Sequence, residues 1–358
     1  MIVFEVFLIL IASVYAFLVL KCCVKFYFYK QEKNLKTSFK KVSVMVSAKN
    51  EEENISNFIT NILSQSSENY ELVLIDDNSL DKTFEIAEKF SDIILKKNPF
   101  SGKKSALKYG IDFCNGDFLI LTDADCFGNR YWVETISKTA FAYDADMVLA
   151  PVIICAEDNS NIFQRLWQAE GFSLITITAG TCIWGRPVMS NGGNIGYKTF
   201  FFKNNVLSLN KKYSSGDDMF MMESAQRQRK KIVYVKDRNA VVRTFGPKNL
   251  KQLLRQRSRW VSKTGGYKEK FTLFFAGVIF FGNFFAAMLP FVAWFTDWRV
   301  SVFMVLTKFL SDFFSVKVSS DYYRKKQKIS DIIVLEIIYP YYVLSSVAVF
   351  LFKGVRWK

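Results

Sequence analysis

Residues 42–55, VSVMVSAKNEEENI, set a short strand-forming run directly against an acidic step and the opening of a helix. The run VSVMVSA (42–48) reads as a buried strand. EEENISNFITNILSQ (51–65) then puts Ile55, Phe58, Ile59, Ile62 and Leu63 on one helical face. Working outward, the alternation continues. YELVLID (70–76) is a second strand and DKTFEIAEKF (81–90) a second helix; SDIILKK (91–97) is an edge-like strand, GKKSALKYGIDF (102–113) a third helix, and DFLILTD (117–123) a fourth strand. Strands alternating with helices predict a parallel, Rossmann-like α/β sheet, whose ligands bind beyond the carboxyl ends of the strands.

Those carboxyl ends are acidic. The first strand leads into Asn50-Glu51, the second ends in Asp76-Asp77-Asn78-Ser79, and the fourth in Asp123-Ala124-Asp125. Carboxylates gathered in this way repel one another unless a cation or several hydrogen-bond donors sit among them. Asp123 and Asp125 are two apart in extended chain and project to one side. Hard oxygen ligands with no histidine or cysteine companion suit Mg²⁺ or Mn²⁺ on a diphosphate. Gly102-Lys103-Lys104 opens the third helix, where an amino terminus and lysines can meet an anion.

The chain has no histidine, which removes Ser-His-Asp and Cys-His catalysis and leaves proton transfer to carboxylates, Lys, Tyr or Cys. Neither a G-x-G-x-x-G after the first strand nor a P-loop occurs. The six cysteines form no C-x-x-C pair and read as reduced thiols, with Cys22 and Cys23 as small buried residues.

Half of the 358 residues are apolar and the net charge is +15. That charge is concentrated: residues 21–41 carry +6, 246–270 carry +7, 317–328 carry +4 and 353–358 carry +3. Each block abuts an apolar run, a pattern of cytoplasmic juxtamembrane charge and not of a nucleic-acid groove. The runs are 1–20, 271–296, 300–316 and 332–352. The first, second and fourth are long and apolar enough to span a bilayer. In the third, Ser301, Thr307, Lys308, Ser311, Asp312 and Ser315 recur at helical spacing, as in a helix lying in the interface or lining a groove. Glu336, about a turn inside the last run, is expected to snorkel to the interface. Residues 1–20 have no cleavage site and read as a retained anchor with its amino end outside. The expected organisation is an anchor (1–20), a basic juxtamembrane linker (21–40), a catalytic domain (41–245), an interfacial segment (246–270) and a C-terminal membrane region with a basic tail (271–358).

Taken together, these residues resemble the membrane-bound family 2 glycosyltransferases, whose domain has the GT-A fold. LVLIDDNSLDKT (72–83) resembles the family's nucleotide loop, GKKSALKYGI (102–111) its G-K-x-x-A-L helix and LTDADC (121–126) its D-x-D. SNGGNIGYKTFFF (190–202) is similar to its acceptor-side segment, SGDDMF (215–220) to its acidic base motif, QRSRW (256–260) to Q-x-x-R-W, and the terminal RWK to the ending of many members. The resemblance implies an inverting, metal-dependent transfer from a nucleotide sugar, most readily a UDP-sugar, to a lipid-linked or glycan acceptor. It implies that Asp77 contacts the nucleobase or ribose, with Asn50, Glu51, Lys103, Lys104 and Asp123 around the donor. Asp125 and Asp123 would hold the metal, and Gly193 and Asn194 would belong to the acceptor side. Gln256, Arg259 and Trp260 would cover the diphosphate and the acceptor entrance. The base motif is often E-D in the family and reads Asp217-Asp218 here, with Asp218 favoured as the base. The other cations of 246–270 are assigned to the membrane surface. The family implies a location in the bacterial inner membrane with the catalytic domain cytoplasmic; a processive polysaccharide synthase is the alternative within the same chemistry.

Overall fold

The computed structural model describes residues 2–32, 41–156, 161–206, 216–247 and 249–353. Ser214, Ser215, Lys248 and the terminal RWK lie outside them. The strands are β1 (Val42–Ala48), β2 (Tyr70–Asp76), β3 (Ile94–Lys97), β4 (Phe118–Thr122), β5 (Phe127–Gly128), β6 (Met147–Leu149), β7 (Val152–Cys155), β8 (Asn194–Lys198), β9 (Ile232–Tyr234) and β10 (Val242–Phe245). The chain divides into two units, one of residues 30–153 and 189–245 and the other of residues 1–29, 154–188 and 246–358. The catalytic domain expected at 41–245 is therefore interrupted: residues 154–188 cluster with the apolar helices, because helix Ile162–Ile183 buries its side chains among them.

Among the described residues, the larger sheet of the sheet unit has seven strands in the order β3-β2-β1-β4-β8-β6-β9. β1 is parallel to both β2 and β4, and β2 to β3, as the alternating pattern requires. Val44, Val46, Leu72, Leu74 and Ile120 are at most 1% exposed, each contributing about 1.5–3 kcal/mol of burial. The helices Ile55–Leu63, Thr83–Ala87 and Lys103–Gly110 follow the first three strands. Beyond β4 the sheet changes character: β8 runs antiparallel between β4 and β6. β10 turns back antiparallel on β5, immediately after the D-x-D segment.

The helical unit contains Ile2–Phe28, Ile162–Ile183, Leu250–Val261, Lys270–Ala287, Leu289–Phe295, Trp298–Tyr322 and Ile329–Lys353. The anchor helix continues through Phe28, so the linker expected to start at residue 21 begins as helix. Among the described residues, three helices, Ile2–Phe28, Lys270–Ala287 and Ile329–Phe352, are long and apolar enough to cross a membrane. Trp298–Tyr322 runs beside the first for its whole length: Glu5 accepts from the Asp297 N–H at 3.0 Å, Tyr15 donates to Asp312 at 2.7 Å, and Phe26 meets Tyr322 edge-on at 5.6 Å. Its polar stripe faces inward, with Ser311, Ser315 and Ser319 fully buried. Ser319 donates to the Phe172 carbonyl, and Thr176 to that of Ser315. Glu336 does not snorkel; Lys308 reaches it at 2.6 Å and Asp312 at 2.8 Å, since a neighbouring ammonium is a nearer partner than water. Cys22 is fully buried against Gly180, where a β-carbon would sit 2.5 Å from the Cys22 Cα. Only glycine permits the helices to approach so closely.

Candidate active site

The loops after β1 and β2 are fastened to each other before they present any side chain. Asn50, at φ 55°, donates its N–H to Ser79 Oγ at 3.0 Å and accepts from the Leu80 N–H at 2.8 Å. The Glu51 N–H donates to Thr83 Oγ1 at 2.7 Å. Asn50 thus holds the loop, while the half-buried Glu51 carboxyl lies near the D-x-D carboxylates. Burial raises its pKa, the Asn54 hydrogen bond opposes this, and the Asp125 and Asp123 charges raise it further.

Asp77 is 3% exposed and fully engaged on its inner side. Its Oδ1 accepts from Asn98 Nδ2 at 2.7 Å and from the Gly102 N–H at 2.8 Å, and Lys49 Nζ stands 3.9 Å from Oδ2. Gly102 sits at φ 101°, a conformation that glycine adopts without strain, and this turns its N–H onto the carboxylate at the helix start. The next two residues carry the connection onward. Lys103 is ion-paired with Asp123, and Lys104 Nζ lies 3.8 Å from Asp217. Burial works against the Lys103 ammonium, but the charges of Asp123, Asp217 and Asp218 outweigh it and hold its pKa above the usual lysine value.

Asp125 is the most enclosed of the D-x-D pair. Thr244 on β10 donates to it at 3.2 Å; burial, then the Asp123 charge, raises its pKa. Asp123, Asp125 and Cys126 each place one possible ligand atom within 4.8 Å of the others. Burial, with the charges of Asp123 and Asp125, pushes the Cys126 thiol well above its normal pKa; the hard oxygen donors of the group are the two carboxylates. Two carboxylates beside an ammonium fit a divalent cation that also takes oxygens from a diphosphate.

The Gly192-Gly193 turn lies between the D-x-D and the acidic helix. A β-carbon at Gly193 would sit 3.5 Å from Asp123 Oδ2, and one at Gly192 would sit 3.7 Å from Asp218 Cβ. Asp217 and Asp218 open helix Asp217–Arg227 behind Gly216, at φ 89°. Asp217 is buried and turned to Lys104; Asp218 is the more accessible of the two. Hydrogen bond and ion pair therefore link Asp77 through Gly102 and Lys103 to Asp123, and the Gly193-Gly192 turn lies between Asp123 and Asp218.

Asn194 departs from the expected acceptor role. It is 1% exposed, donates to the carbonyls of Pro151 and Ala240 at 2.8 Å, and accepts from Trp132 Nε1 at 3.0 Å. With its side chain so committed, it fastens β8 to its neighbours. Gln256, Arg259 and Trp260 lie on helix Leu250–Val261 of the helical unit. Within that segment Arg257, expected at the membrane surface, is 7% exposed because Glu170 supplies a buried counter-charge at 2.6 Å. Asn98 and Thr244 were not identified from sequence; each acts through a carboxylate far away in the chain.

The profile of glycosyl transferase family 2 matches residues 43–205, and that of glycosyl transferase family group 2 matches residues 126–352. The chain belongs to the family 2 glycosyltransferases. Its fold is mixed α/β and GT-A-like. Among curated relatives, it is 22% identical over 218 residues to glycosyltransferase GlyA of Streptococcus pneumoniae, covering 54% of this chain and 29% of that one. It is 35% identical over 112 residues to the undecaprenyl-phosphate 4-deoxy-4-formamido-L-arabinose transferase of Photorhabdus laumondii, covering 28% of this chain and 34% of that one. The chain thus spans about a third of the length of these relatives. The mannosyltransferase PcManGT of Pyrobaculum calidifontis, solved with GDP-Man and Mn²⁺, superposes over 97% of this chain and 99% of its own. The TM-score is 0.57 at 14% identity, a likeness of fold.

Proposed function

We propose that this glycosyltransferase moves a sugar from a nucleoside-diphosphate sugar, with uridine as the expected nucleoside, to a lipid-linked or glycan acceptor at the cytoplasmic face of a bacterial inner membrane, inverting the anomeric centre. The observation that carries the reading is the linkage of Asp77 to Asp123 through Gly102 and Lys103, with Asp218 close by across the Gly192-Gly193 turn. It supports a reading in which Asp77 serves the nucleoside, Asp123 and Asp125 the diphosphate and Asp218 the acceptor, all within the sheet unit.

In this reading Asp77 orients the nucleoside, and Lys103 and Lys104 offer cations to the leaving diphosphate. Asp123 and Asp125 would hold Mg²⁺ or Mn²⁺, which supplies charge neutralisation for the departing nucleoside diphosphate. Asp218 accepts the proton of the acceptor hydroxyl as the new bond forms, while Asp217 stays with Lys104. One base and one displacement give inversion. Gln256, Arg259 and Trp260 are assigned to the diphosphate and acceptor entrance by family resemblance. The membrane acceptor is supported by the three long apolar helices and by the undecaprenyl-phosphate transferase among the relatives; such products serve cell-envelope glycolipid or polysaccharide synthesis.

The test is to incubate membranes carrying the protein with a panel of labelled nucleotide sugars and Mn²⁺ or Mg²⁺. Label is expected in the lipid or glycan fraction from one donor, with release of a nucleoside diphosphate. Release of pyrophosphate, or no transfer from any donor, refutes the proposal.

A further inference from the structure

Trp260 stands at the last turn of helix Leu250–Val261 with its indole 38% exposed. Three residues earlier, the Arg257 guanidinium lies over that ring at 3.9 Å from its centroid. The guanidinium is itself pinned from two other helices. Its Nη2 meets Glu170 of helix Ile162–Ile183 at 2.6 Å, and its Nε donates to the hydroxyl of Tyr342 on helix Ile329–Lys353. Arg257, Glu170 and Tyr342 are all buried. A planar cation held in this way offers one flat face, and the indole lies on it.

We infer that Arg257 is the positioning residue for Trp260: the Glu170 and Tyr342 contacts fix the guanidinium, and its face sets the indole as a rigid platform for the apolar face of an acceptor sugar. The inference rests on the assignment of Trp260 to the acceptor entrance. It gives the buried arginine of Q-R-S-R-W a role that topology charge does not account for. Lysine would keep the Glu170 charge pair but present no planar face, so Arg257→Lys separates charge from stacking.

The experiment compares the wild type with Arg257→Lys, Trp260→Phe and the double variant, each in detergent. Tryptophan emission is quenched with acrylamide, and label transfer into the lipid fraction of native membranes is followed against acceptor amount. Arg257→Lys is expected to raise quenching in the wild-type background and to change nothing when Trp260 is already Phe. It is expected to raise the half-saturating acceptor amount about fivefold with the donor requirement unchanged, and to add nothing to Trp260→Phe. Quenching that is unchanged, or that rises equally in the Trp260→Phe background, overturns the positioning role. If quenching behaves as expected but Trp260→Phe leaves acceptor dependence untouched, the acceptor assignment of Trp260 fails and the inferred platform with it. Should Arg257→Lys not fold, Tyr342→Phe removes a single hydrogen bond from the guanidinium and leaves Glu170 paired. It is expected to raise Trp260 quenching, and no change would again overturn the inference.

Discussion

Asp217 and Asp218 are adjacent in sequence, yet their surroundings separate their roles, and replacing each by asparagine tests that separation. Asn is nearly isosteric with Asp and keeps the helix start, but it cannot accept a proton at neutral pH. Asp218 is the more open of the pair and lies beside Gly192, so Asp218→Asn should remove proton acceptance and little else. General-base catalysis contributes about 10²–10⁴ in rate, so a loss of that size in kcat is expected with stability unchanged. Asp217 and Lys104 have side chains 11% and 15% exposed and stand 3.8 Å apart. Asp217→Asn leaves a partly desolvated ammonium short of its partner; burial already lowers the pKa of Lys104, with Asp217 as the main charge opposing it. Removing one member of such a half-buried pair costs about 1–3 kcal/mol, or roughly 2–10 °C in melting temperature for a unit of this size. The assay is nucleoside-diphosphate release under saturating donor, with melting followed on the same samples. The reasoning is refuted if Asp218→Asn turns over within about threefold of wild type, or if Asp217→Asn abolishes turnover with no change in melting temperature.

Three further outcomes are expected. Chelation with EDTA should stop transfer and added Mn²⁺ or Mg²⁺ should restore it, while Asp125→Ala should raise the Mn²⁺ concentration needed at least tenfold, read by metal titration of activity. Asn194→Ala should destabilise the sheet unit by about 2–4 kcal/mol, since it strands two buried carbonyls and an indole N–H, and any surviving enzyme should show the wild-type acceptor dependence. Lys236 is 6% exposed, and burial lowers its pKa to about 8. Its folded value lies below the unfolded one, so the unfolded chain binds the extra proton between about pH 8 and 10.5 and Lys236 makes stability rise with pH there. Lys236→Met should abolish that rise in a melting-temperature profile.

The parts legible in the sequence are those whose physics is local. β1, β2 and β4 are central parallel strands buried on both faces, so they read as apolar runs, and their carboxyl ends announce the acidic residues. The part of the sheet beyond β4 was not legible: β6 and β9 are three residues each, too short for a periodic signal. The same division runs through the site. Carboxylates in motifs could be named, whereas the groups that set them could not. Thr244 reaches Asp125 across 119 residues, and Asn98 reaches Asp77 across 21. For Asn194, too, a motif position does not reveal that its amide meets three buried partners.

Helix Trp298–Tyr322 shows why hydropathy is silent about partners. Summed along the chain, Lys308, Asp312 and a row of serines make it less apolar than its neighbours, and among the described residues length with composition selects three other helices. Yet each polar group is answered by another: Lys308 by Asp312 and Glu336, Asp312 also by Tyr15, Ser315 by Ser173, and Ser319 by the Phe172 carbonyl. In an apolar surrounding, a polar group costs free energy only while unpaired, so satisfied pairs allow a polar stripe to face inward and leave apolar side chains such as Val302, Phe303, Leu306, Leu310 and Phe314 outward. A helix of 25 residues with that division packs its polar stripe against the apolar helices around it. Lys308 and Asp312 stand on this helix, Glu336 on Ile329–Lys353 and Tyr15 on Ile2–Phe28, so the costly single change is the one that removes the shared cation: Lys308→Leu, which leaves two buried carboxylates without it, should disrupt the bundle, whereas replacing Lys308 and Glu336 together by apolar residues should be tolerated better, leaving Asp312 with Tyr15.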